Sequence, residues 1–416
     1  MDIFQSRESE VRSYCRSWPV VFERGTGSWM TDEQGNEYLD FFSGAGALNY
    51  GHNNPVLKRA LLDYLAEDRV VHGLDMHTPA KREFLETFTD LVLQPRGMGD
   101  YKVMFPGPTG ASAVEAALKL ARKVTGRESV INFTNAFHGM SLGALSVTGN
   151  SMKRGGAGIP LVHATPMPYD HYLNDLTPDF LWFEKLLNDS GSGLNEPAAV
   201  IVEAVQGEGG LNAARPEWLH GLADLCKRHN MLLIVDDVQM GCGRTGPFFG
   251  FEAADIKPDI VCLSKSISGF GSPMAITIFS PELDVWEPGE HNGTFRGYNP
   301  AFVTASEALR TYWSDGTLQR STEAKSARVL ATLNDIAKNT TGTNIGTRGR
   351  GFAQGLAFDT GEMAGKVCSA AFERGLLMET AGPNGEVAKL MPALTITDAE
   401  LADGLDRLTD AVRTIC

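Results

Sequence analysis

Two charged residues stand at the ends of two predicted strands. The apolar run 232–235 ends at Asp236, and the run 259–263 ends just before Lys265. The carboxyl ends of strands in an α/β sheet share an edge, and ligands bind there. We therefore expect Asp236 and Lys265 to lie close together. An acid and a lysine in this arrangement suit an aldehyde cofactor, because the lysine bonds the aldehyde and the acid keeps the cofactor ring protonated.

A strand followed by a helix supplies a candidate phosphate site. The predicted strand 101–105 leads through a loop into a predicted helix over 113–124, with Thr109 or Ser112 as its N-cap. The first N–H groups of a helix have no partner within the helix and attract anions. An ordinary capped helix has the same sequence pattern, but the acid and the lysine downstream favour phosphate.

Two further strand ends carry candidate site residues. Phe137 follows the strand 129–133, where an aromatic ring can stack on a planar ligand or belong to the core. The buried strand 198–203 ends at Glu203, and Glu208 lies in the loop beyond it. A glutamate in such a loop is functional only when the loop enters a pocket.

Strands and helices alternate over 55–310, which predicts an α/β fold with a mostly parallel sheet. We predict an N-terminal segment (1–50) that joins a small α+β domain, a large α/β domain (51–315) and a C-terminal small domain (316–416). Residues 140–158 are rich in Gly and Ser and are predicted to form a loop. In the C-terminal part, residues 349–358 are predicted to form a single strand and residues 388–391 another.

The glycine-rich stretch 44–52 resembles a dinucleotide-binding fingerprint only superficially. It lacks the third glycine at the required offset, and no clear helix follows at once. A Rossmann-type nucleotide site is therefore not predicted.

Composition excludes several classes of protein. The chain has 416 residues, of which 43% are apolar and 21% charged, as in ordinary globular proteins. Its net charge is 37 − 51 = −14, with no basic cluster, which argues against nucleic acid as a partner. The six cysteines form no C-x-x-C pair and are predicted to be reduced thiols, and no histidine pairs with them as in a zinc site.

The N-terminus has no apolar signal region, and no run approaches the roughly 18 apolar residues of a membrane span. We therefore expect a cytoplasmic protein without a membrane partner.

The candidate residues belong to an ordered set of short motifs. These are Thr109-Gly110-Ala111, Phe137-His138-Gly139, Glu203, Gln206-Gly207-Glu208, Asp236-Asp237-Val238-Gln239, Ser264-Lys265 and Gly293-Thr294. In this order and spacing the set resembles the class III (ω-amino acid) pyridoxal-phosphate aminotransferases of fold type I. The resemblance extends from about residue 15 to the C-terminus. It implies pyridoxal 5'-phosphate as cofactor and a large domain with a mostly parallel central sheet beside a smaller α+β domain built from both chain ends.

The resemblance also implies roles for individual residues. Lys265 would form the Schiff base with the cofactor and move the proton between substrate and cofactor, while Asp236 would pair with the ring nitrogen. The other implied cofactor contacts are Gln239 at the ring hydroxyl, Phe137 on the ring face, Gly110 and Ala111 at the phosphate, and His138 and Glu203 nearby. Thr294 would reach the cofactor phosphate of a neighbouring subunit, so the resemblance implies a homodimer or a dimer of dimers.

The substrate end departs from the family pattern. Glu208 resembles the family's gate glutamate, but Lys389 stands where many members have the arginine that binds a substrate carboxylate. A lysine offers a point charge rather than a bidentate fork. Ala45 and Met140 replace the tyrosine and arginine of ornithine aminotransferases, which argues against ornithine. We expect Glu208, Lys389, Ala45 and Asn49 to contact substrate.

The stretches 40–55 and 235–246 resemble those of the family members that act in ectoine synthesis. This resemblance implies transfer of the amino group of L-glutamate to L-aspartate 4-semialdehyde, giving L-2,4-diaminobutyrate and 2-oxoglutarate. The alternatives are another ω-aminotransferase, acting on acetylornithine, 4-aminobutyrate or a polyamine, and a same-fold aminomutase. A regulator that binds the cofactor without catalysis is a further alternative.

Overall fold

The computed structural model describes residues 3–173 and 179–416, so residues 1–2 and 174–178 of the predicted domains lie outside the described residues. Its largest sheet has seven strands in the spatial order Lys102–Met104, Ile276–Phe279, Ile260–Leu263, Leu232–Asp236, Ala199–Val202, Val130–Phe133 and Ala164–Met167. Four of the six strand pairs are parallel, and the two pairs made by Ile276–Phe279 are antiparallel. The prediction of a mostly parallel central sheet is confirmed.

The apolar runs of the sequence become the buried centre of this sheet. Every residue of the strands Ala199–Val202 and Ile260–Leu263 is buried, as expected where helices cover both faces of a parallel sheet. The helix Gly110–Thr125 packs against the sheet through alanine, valine and leucine side chains. The strand ends are therefore held rigidly at one edge.

Both chain ends contribute to the smaller sheets. The strands Phe22–Thr26, Trp29–Asp32 and Glu37–Asp40 form a sheet with Leu376–Leu377, which lies parallel to Glu37–Asp40. The other small sheets are Ile345–Arg350, Ala353–Phe358, Val387–Leu390 and Glu379–Ala381, and the pair Val205–Gln206 and Asn212–Ala213.

The prediction of a single strand over 349–358 is wrong. Ile345–Arg350 and Ala353–Phe358 form an antiparallel hairpin. Gly351 lies in the two-residue connection with a φ of +65°, a left-handed conformation that glycine adopts without strain.

The described α-helices, together with a turn at Ser43–Gly46, are Ile3–Arg7, Tyr14–Ser17, Pro55–Ala66, Pro79–Phe88, Gly110–Thr125, Leu142–Ser146, Ser151–Gly155, Leu181–Asn188, Pro216–Arg228, Asn299–Trp313, Thr317–Asn339, Gly361–Glu373 and Asp398–Ile415. Short 3₁₀ turns include Lys265–Ser268 and Thr294–Arg296. Within the described part of the chain, no helix is long and apolar enough to cross a membrane.

The segment 140–158, predicted to be a loop, contains two short helices, Leu142–Ser146 and Ser151–Gly155. The side chain of Asn150 caps the second helix by accepting a hydrogen bond from the N–H of Lys153 at 3.1 Å. Arg154 then anchors the segment by donating to three backbone carbonyls, the shortest of these bonds reaching Thr148 at 2.8 Å. Local capping and a single arginine therefore order a segment whose composition indicates a loop.

Candidate functional site

Asp236 and Lys265, which were predicted to lie close together, line the same cavity. Asp236 is the last residue of its strand, and its register partner on the parallel neighbouring strand is Cys262, three residues before Lys265. Both residues line a cavity of about 170 Å³, which we call the inner cavity. The same cavity is lined by all the predicted cofactor residues except Thr294, namely Gly110, Ala111, Phe137, His138, Glu203, Asp236, Gln239 and Lys265.

Lys265 enters the cavity from a strained backbone. Its φ is +52°, a left-handed conformation that costs a residue other than glycine about 1–2 kcal/mol. Its Nζ donates a hydrogen bond to the carbonyl oxygen of Ala45 at 2.9 Å. Burial lowers the pKa of Lys265 and Lys389 adds to the effect, although Glu208 opposes it. The lysine is thereby brought closer to the neutral, nucleophilic amine.

A left-handed turn orients the Ala45 carbonyl that accepts the hydrogen bond from Lys265. Ser43, Gly44 and Ala45 have φ values of 49°, 58° and 55°. The carboxylate of Asp40 holds this turn by accepting hydrogen bonds from the N–H groups of Phe42 at 2.7 Å and Ser43 at 2.8 Å. Ala45 therefore acts in the described structure through its backbone, which residue type alone does not reveal.

Asp236 is oriented by two partners. Its Oδ2 accepts a hydrogen bond from Nδ1 of His138 at 2.7 Å, and its Oδ1 accepts one from the N–H of Val238 at 3.1 Å. The adjacent Asp237 does not line the cavity and accepts a hydrogen bond from the N–H of Gly250 at 2.9 Å. Burial raises the pKa of Asp237 to about 7. Only the first acid of the pair is placed for chemistry.

Glu203 positions the aromatic ring. Its Oε2 accepts a hydrogen bond from the N–H of Phe137 at 3.0 Å. Burial raises the pKa of Glu203 well above its usual value, and the nearby Asp236 carboxylate raises it further. A buried carboxyl here fixes the backbone that carries Phe137.

The helix Gly110–Thr125 begins at the cavity. Thr109 is its N-cap and accepts a hydrogen bond from the N–H of Ser112 at 3.2 Å. A Cβ on Gly110 would lie 2.8 Å from Cγ1 of Val238, a closer approach than two carbon atoms tolerate. Glycine is therefore required here, and the helix start presents free N–H groups to a phosphate.

Lys389 lies behind the cavity rather than in its wall. Its Nζ is 2.8 Å from Oε1 of Glu208 and 2.9 Å from Oε1 of Glu379, and the residue is only 1% exposed. Glu379 stands directly opposite Lys389 on the neighbouring antiparallel strand, so the two side chains share one face of the sheet. Of the three, only Glu208 lines the cavity. We call Glu208, Glu379 and Lys389 the ion cluster.

Lys389 stabilises the charged form of Glu208, and the two carboxylates stabilise the charge of Lys389. Burial alone would raise the pKa of Glu208, but Lys389 and Lys265 outweigh it and hold the pKa below its usual value. Burial would likewise lower the pKa of Lys389, but the two carboxylates raise it. Glu379 differs, because burial raises its pKa despite Lys389. Lys389 is therefore a fully charged and already paired ammonium.

Gln239 connects this cluster to the cofactor end. Its Nε2 donates to the carbonyl oxygen of Ala45 and to Oε1 of Glu208, both at 3.0 Å. A contact of Gln239 with the cofactor hydroxyl stays a prediction.

Three other predicted residues lie away from the inner cavity wall. Asn49 is fully buried, donates to the carbonyl of Cys242 at 2.9 Å and accepts from Arg244, which favours a structural role over substrate contact. Met140 is exposed, and Thr294 is also exposed and does not line the cavity. The exposure of Thr294 is compatible with its predicted contact to a neighbouring subunit.

A second cavity of about 440 Å³ adjoins the first and shares Phe137 and Glu208 with it. We call it the outer cavity. Lys153, on the short helix Ser151–Gly155, lines the outer cavity, and its Nζ lies 4.1 Å from the centroid of the Phe137 ring. Sequence reasoning missed Lys153 and Glu379, because neither follows a recognisable strand-end motif.

Metal chemistry has no candidate centre in the residues described. Among residues 3–173 and 179–416, no group of three or more His, Cys, Asp or Glu side chains is placed to hold a metal ion.

The inner cavity fits pyridoxal phosphate by its donor set. A helix start where only glycine fits suits the phosphate, and the carboxylate of Asp236, fixed by His138, suits the ring nitrogen. Phe137 offers a ring face, and Lys265 has a lowered pKa that suits attack on an aldehyde.

Comparisons with known proteins give matches over nearly the whole chain. The family model described as "Aminotransferase class-III" matches residues 12–412. A diaminobutyrate–2-oxoglutarate transaminase of Streptomyces avermitilis is 64% identical over 414 residues, covering 99% of this chain and 98% of the relative. The enzyme of the same name from Halalkalibacterium halodurans is 56% identical over 415 residues, covering 100% of this chain and 97% of the relative.

Among solved structures, an ornithine aminotransferase from Toxoplasma gondii, described with partial occupancy of pyridoxal phosphate at its active site, is similar to this chain. The TM-score is 0.84 at 26% identity, and the match covers 99% of this chain and 93% of the other.

Proposed function

Because this chain belongs to the class III aminotransferase family and is a pyridoxal-phosphate-dependent enzyme, we propose that it exchanges an amino group between L-2,4-diaminobutyrate and 2-oxoglutarate. In the biosynthetic direction L-glutamate donates the amino group to the aldehyde carbon of L-aspartate 4-semialdehyde. The observation that carries the proposal is the 64% identity to the Streptomyces avermitilis transaminase over nearly the whole of both chains.

The residues of the inner cavity support this chemistry. When bound, pyridoxal phosphate supplies an aldehyde that takes up the amino group and a ring that accepts electrons from the reacting carbon. Lys265 would hold the cofactor and then move the proton at the reacting carbon, because its lowered pKa favours the neutral amine. Asp236 would keep the ring nitrogen protonated, and His138 fixes the direction of that carboxylate.

We extend the proposal to assembly, location and pathway. A homodimer or dimer of dimers is supported by the exposed Thr294, which a neighbouring subunit would need for its phosphate site. A cytoplasmic location is supported by six free cysteines without paired spacing. A role in ectoine synthesis is supported by the identity to the diaminobutyrate enzymes and agrees with the acidic net charge of −14.

A donor panel tests the proposed reaction. The purified protein, loaded with pyridoxal phosphate, is supplied with 2-oxoglutarate and one donor at a time: L-2,4-diaminobutyrate, L-ornithine, N-acetylornithine, 4-aminobutyrate or putrescine. We expect glutamate formation with diaminobutyrate to have the highest kcat/KM of the panel. The Lys265→Ala variant is the matched control and should show no turnover with any donor. Preference for another donor, or isomerisation of an amino aldehyde without a keto acid, would replace the proposed function.

A further inference from the structure

The substrates of the proposed function share one distal carboxylate. In L-2,4-diaminobutyrate the carboxylate carbon lies three C–C bonds from the carbon that carries the reacting amino group. In L-glutamate the side-chain carboxylate carbon lies at the same separation from the reacting carbon. One cation at a fixed distance from the cofactor therefore suffices for both half-reactions, and this inference rests on the proposed function.

Lys389 is poorly placed to be that cation. It is 1% exposed, lines neither cavity and already has two carboxylate partners, at 2.8 and 2.9 Å. A substrate carboxylate would have to displace Glu208 to reach it, which breaks a buried ion pair.

Lys153 has the properties that Lys389 lacks. It is the only basic residue among the described residues that line the outer cavity. Across residues 3–173 and 179–416, no ion pair includes it. Its Nζ lies over the ring of Phe137 at 4.1 Å, a cation–π contact that holds the ammonium beside the predicted cofactor position.

No unpaired acidic residue in the described lining of the outer cavity neutralises the charge of Lys153. The only acidic residue in its described lining is Glu208, whose charge is matched by Lys389 within the ion cluster. Thr380 and Asn384 add neutral side chains that can donate hydrogen bonds. The outer cavity is thus a polar space with one available positive charge.

We propose that Lys153 is a specificity-determining residue that binds the distal carboxylate of both the diamino acid and the dicarboxylic substrates. The ammonium meets the carboxylate where the outer cavity joins the inner one beside Phe137.

The test compares L-2,4-diaminobutyrate with 1,3-diaminopropane, which is the same diamine without the carboxylate. In Lys153→Met holoenzyme we expect kcat/KM for diaminobutyrate to fall at least about tenfold and that for diaminopropane to change by less than about twofold, because a charged hydrogen bond is lost only with the first donor. KM for 2-oxoglutarate should rise as well. Lys153→Arg should keep most of the discrimination, and Lys338→Met, which removes an exposed lysine from another helix, should match the parent.

Four results separate the possibilities. An equal loss with both donors in Lys153→Met would show general damage to the site and would overturn the inference. Unchanged kcat/KM for diaminobutyrate would also overturn it. If the parent itself does not turn over diaminobutyrate, the proposed function fails. If the parent does turn it over, and the Lys153→Met variant prefers diaminobutyrate to diaminopropane as strongly as the parent does, only the role of Lys153 is refuted.

Discussion

Replacing Lys389 with methionine should destabilise the protein through the two carboxylates it leaves behind. Methionine fills much of the same space, but Glu208 and Glu379 lose an ammonium at 2.8 and 2.9 Å. Removing one partner of a buried ion pair costs about 3–5 kcal/mol. The Glu379 side chain is 9% exposed and that of Glu208 is 22% exposed, so most of the loss should come from Glu379.

The loss should depend on pH. In the parent the folded pKa of Glu208 is depressed, so its stabilising contribution is present above the unfolded pKa of about 4.3 and disappears as pH falls through the folded value. Without Lys389, the pKa of each carboxyl should be higher than in the parent, because the burial remains and the ammonium that lowers the pKa is gone. Protonation then relieves the unpaired charges. The difference between parent and variant should therefore be largest near pH 7.5 and smaller near pH 5.5.

Urea unfolding at fixed protein concentration measures this difference. Lys366→Met is the matched control, because Lys366 pairs with the exposed Glu362 at 2.6 Å and should matter little. Adding Glu379→Gln to Lys389→Met should recover part of the lost stability, since one stranded carboxylate is removed. If Lys389→Met unfolds like Lys366→Met at both pH values, the ion cluster does not stabilise the fold and the reasoning is refuted.

Two further predictions concern the adjacent acids. Asp236→Asn should retain bound cofactor but slow proton abstraction at least roughly a hundredfold, because the neutral amide no longer keeps the ring nitrogen protonated. Stopped-flow absorbance with diaminobutyrate measures this rate. A rate equal to that of the parent would contradict the role given to Asp236. Asp237 has a folded pKa raised to about 7 by burial, so the native state holds a proton that the unfolded chain releases near 3.9, and stability falls as pH rises through that window. Asp237→Asn should lack this decline. Its free energy of unfolding in urea, relative to that of the parent, should therefore increase between pH 4 and pH 7 by up to about 1.4 kcal/mol per pH unit. If the free energies of unfolding of the two proteins change in parallel with pH, the raised pKa is contradicted.

Much of the inner cavity was predictable because local sequence patterns determine it. The runs before Asp236 and Lys265 are apolar and short, and parallel strands bring their carboxyl ends to one edge. The N-cap at Thr109 follows the same local logic. The apolar runs and the N-cap are local patterns, and the general rule that parallel strands share a carboxyl edge then brings the two charged residues together.

The parts that sequence reasoning missed depend on contacts between distant segments. Glu379 pairs with Lys389 across antiparallel strands, and Asn49 accepts a hydrogen bond from Arg244 of another loop. Lys153 lies on a helix held by Asn150 and Arg154 within a segment whose composition indicates a loop. No spacing rule connects these residues, so the cofactor end was predicted more fully than the substrate end.

The most direct measurement of the site chemistry is the identity of the lysine that holds the cofactor. The holoenzyme is reduced with borohydride, digested, and its peptides are analysed by mass spectrometry for the covalently fixed pyridoxyl group. We predict the added mass on the peptide that contains Lys265, with Lys265→Ala lacking both this mass and the absorbance band of the bound cofactor. Attachment to Lys153, to Lys389 or to any other lysine would contradict the assignment of Lys265.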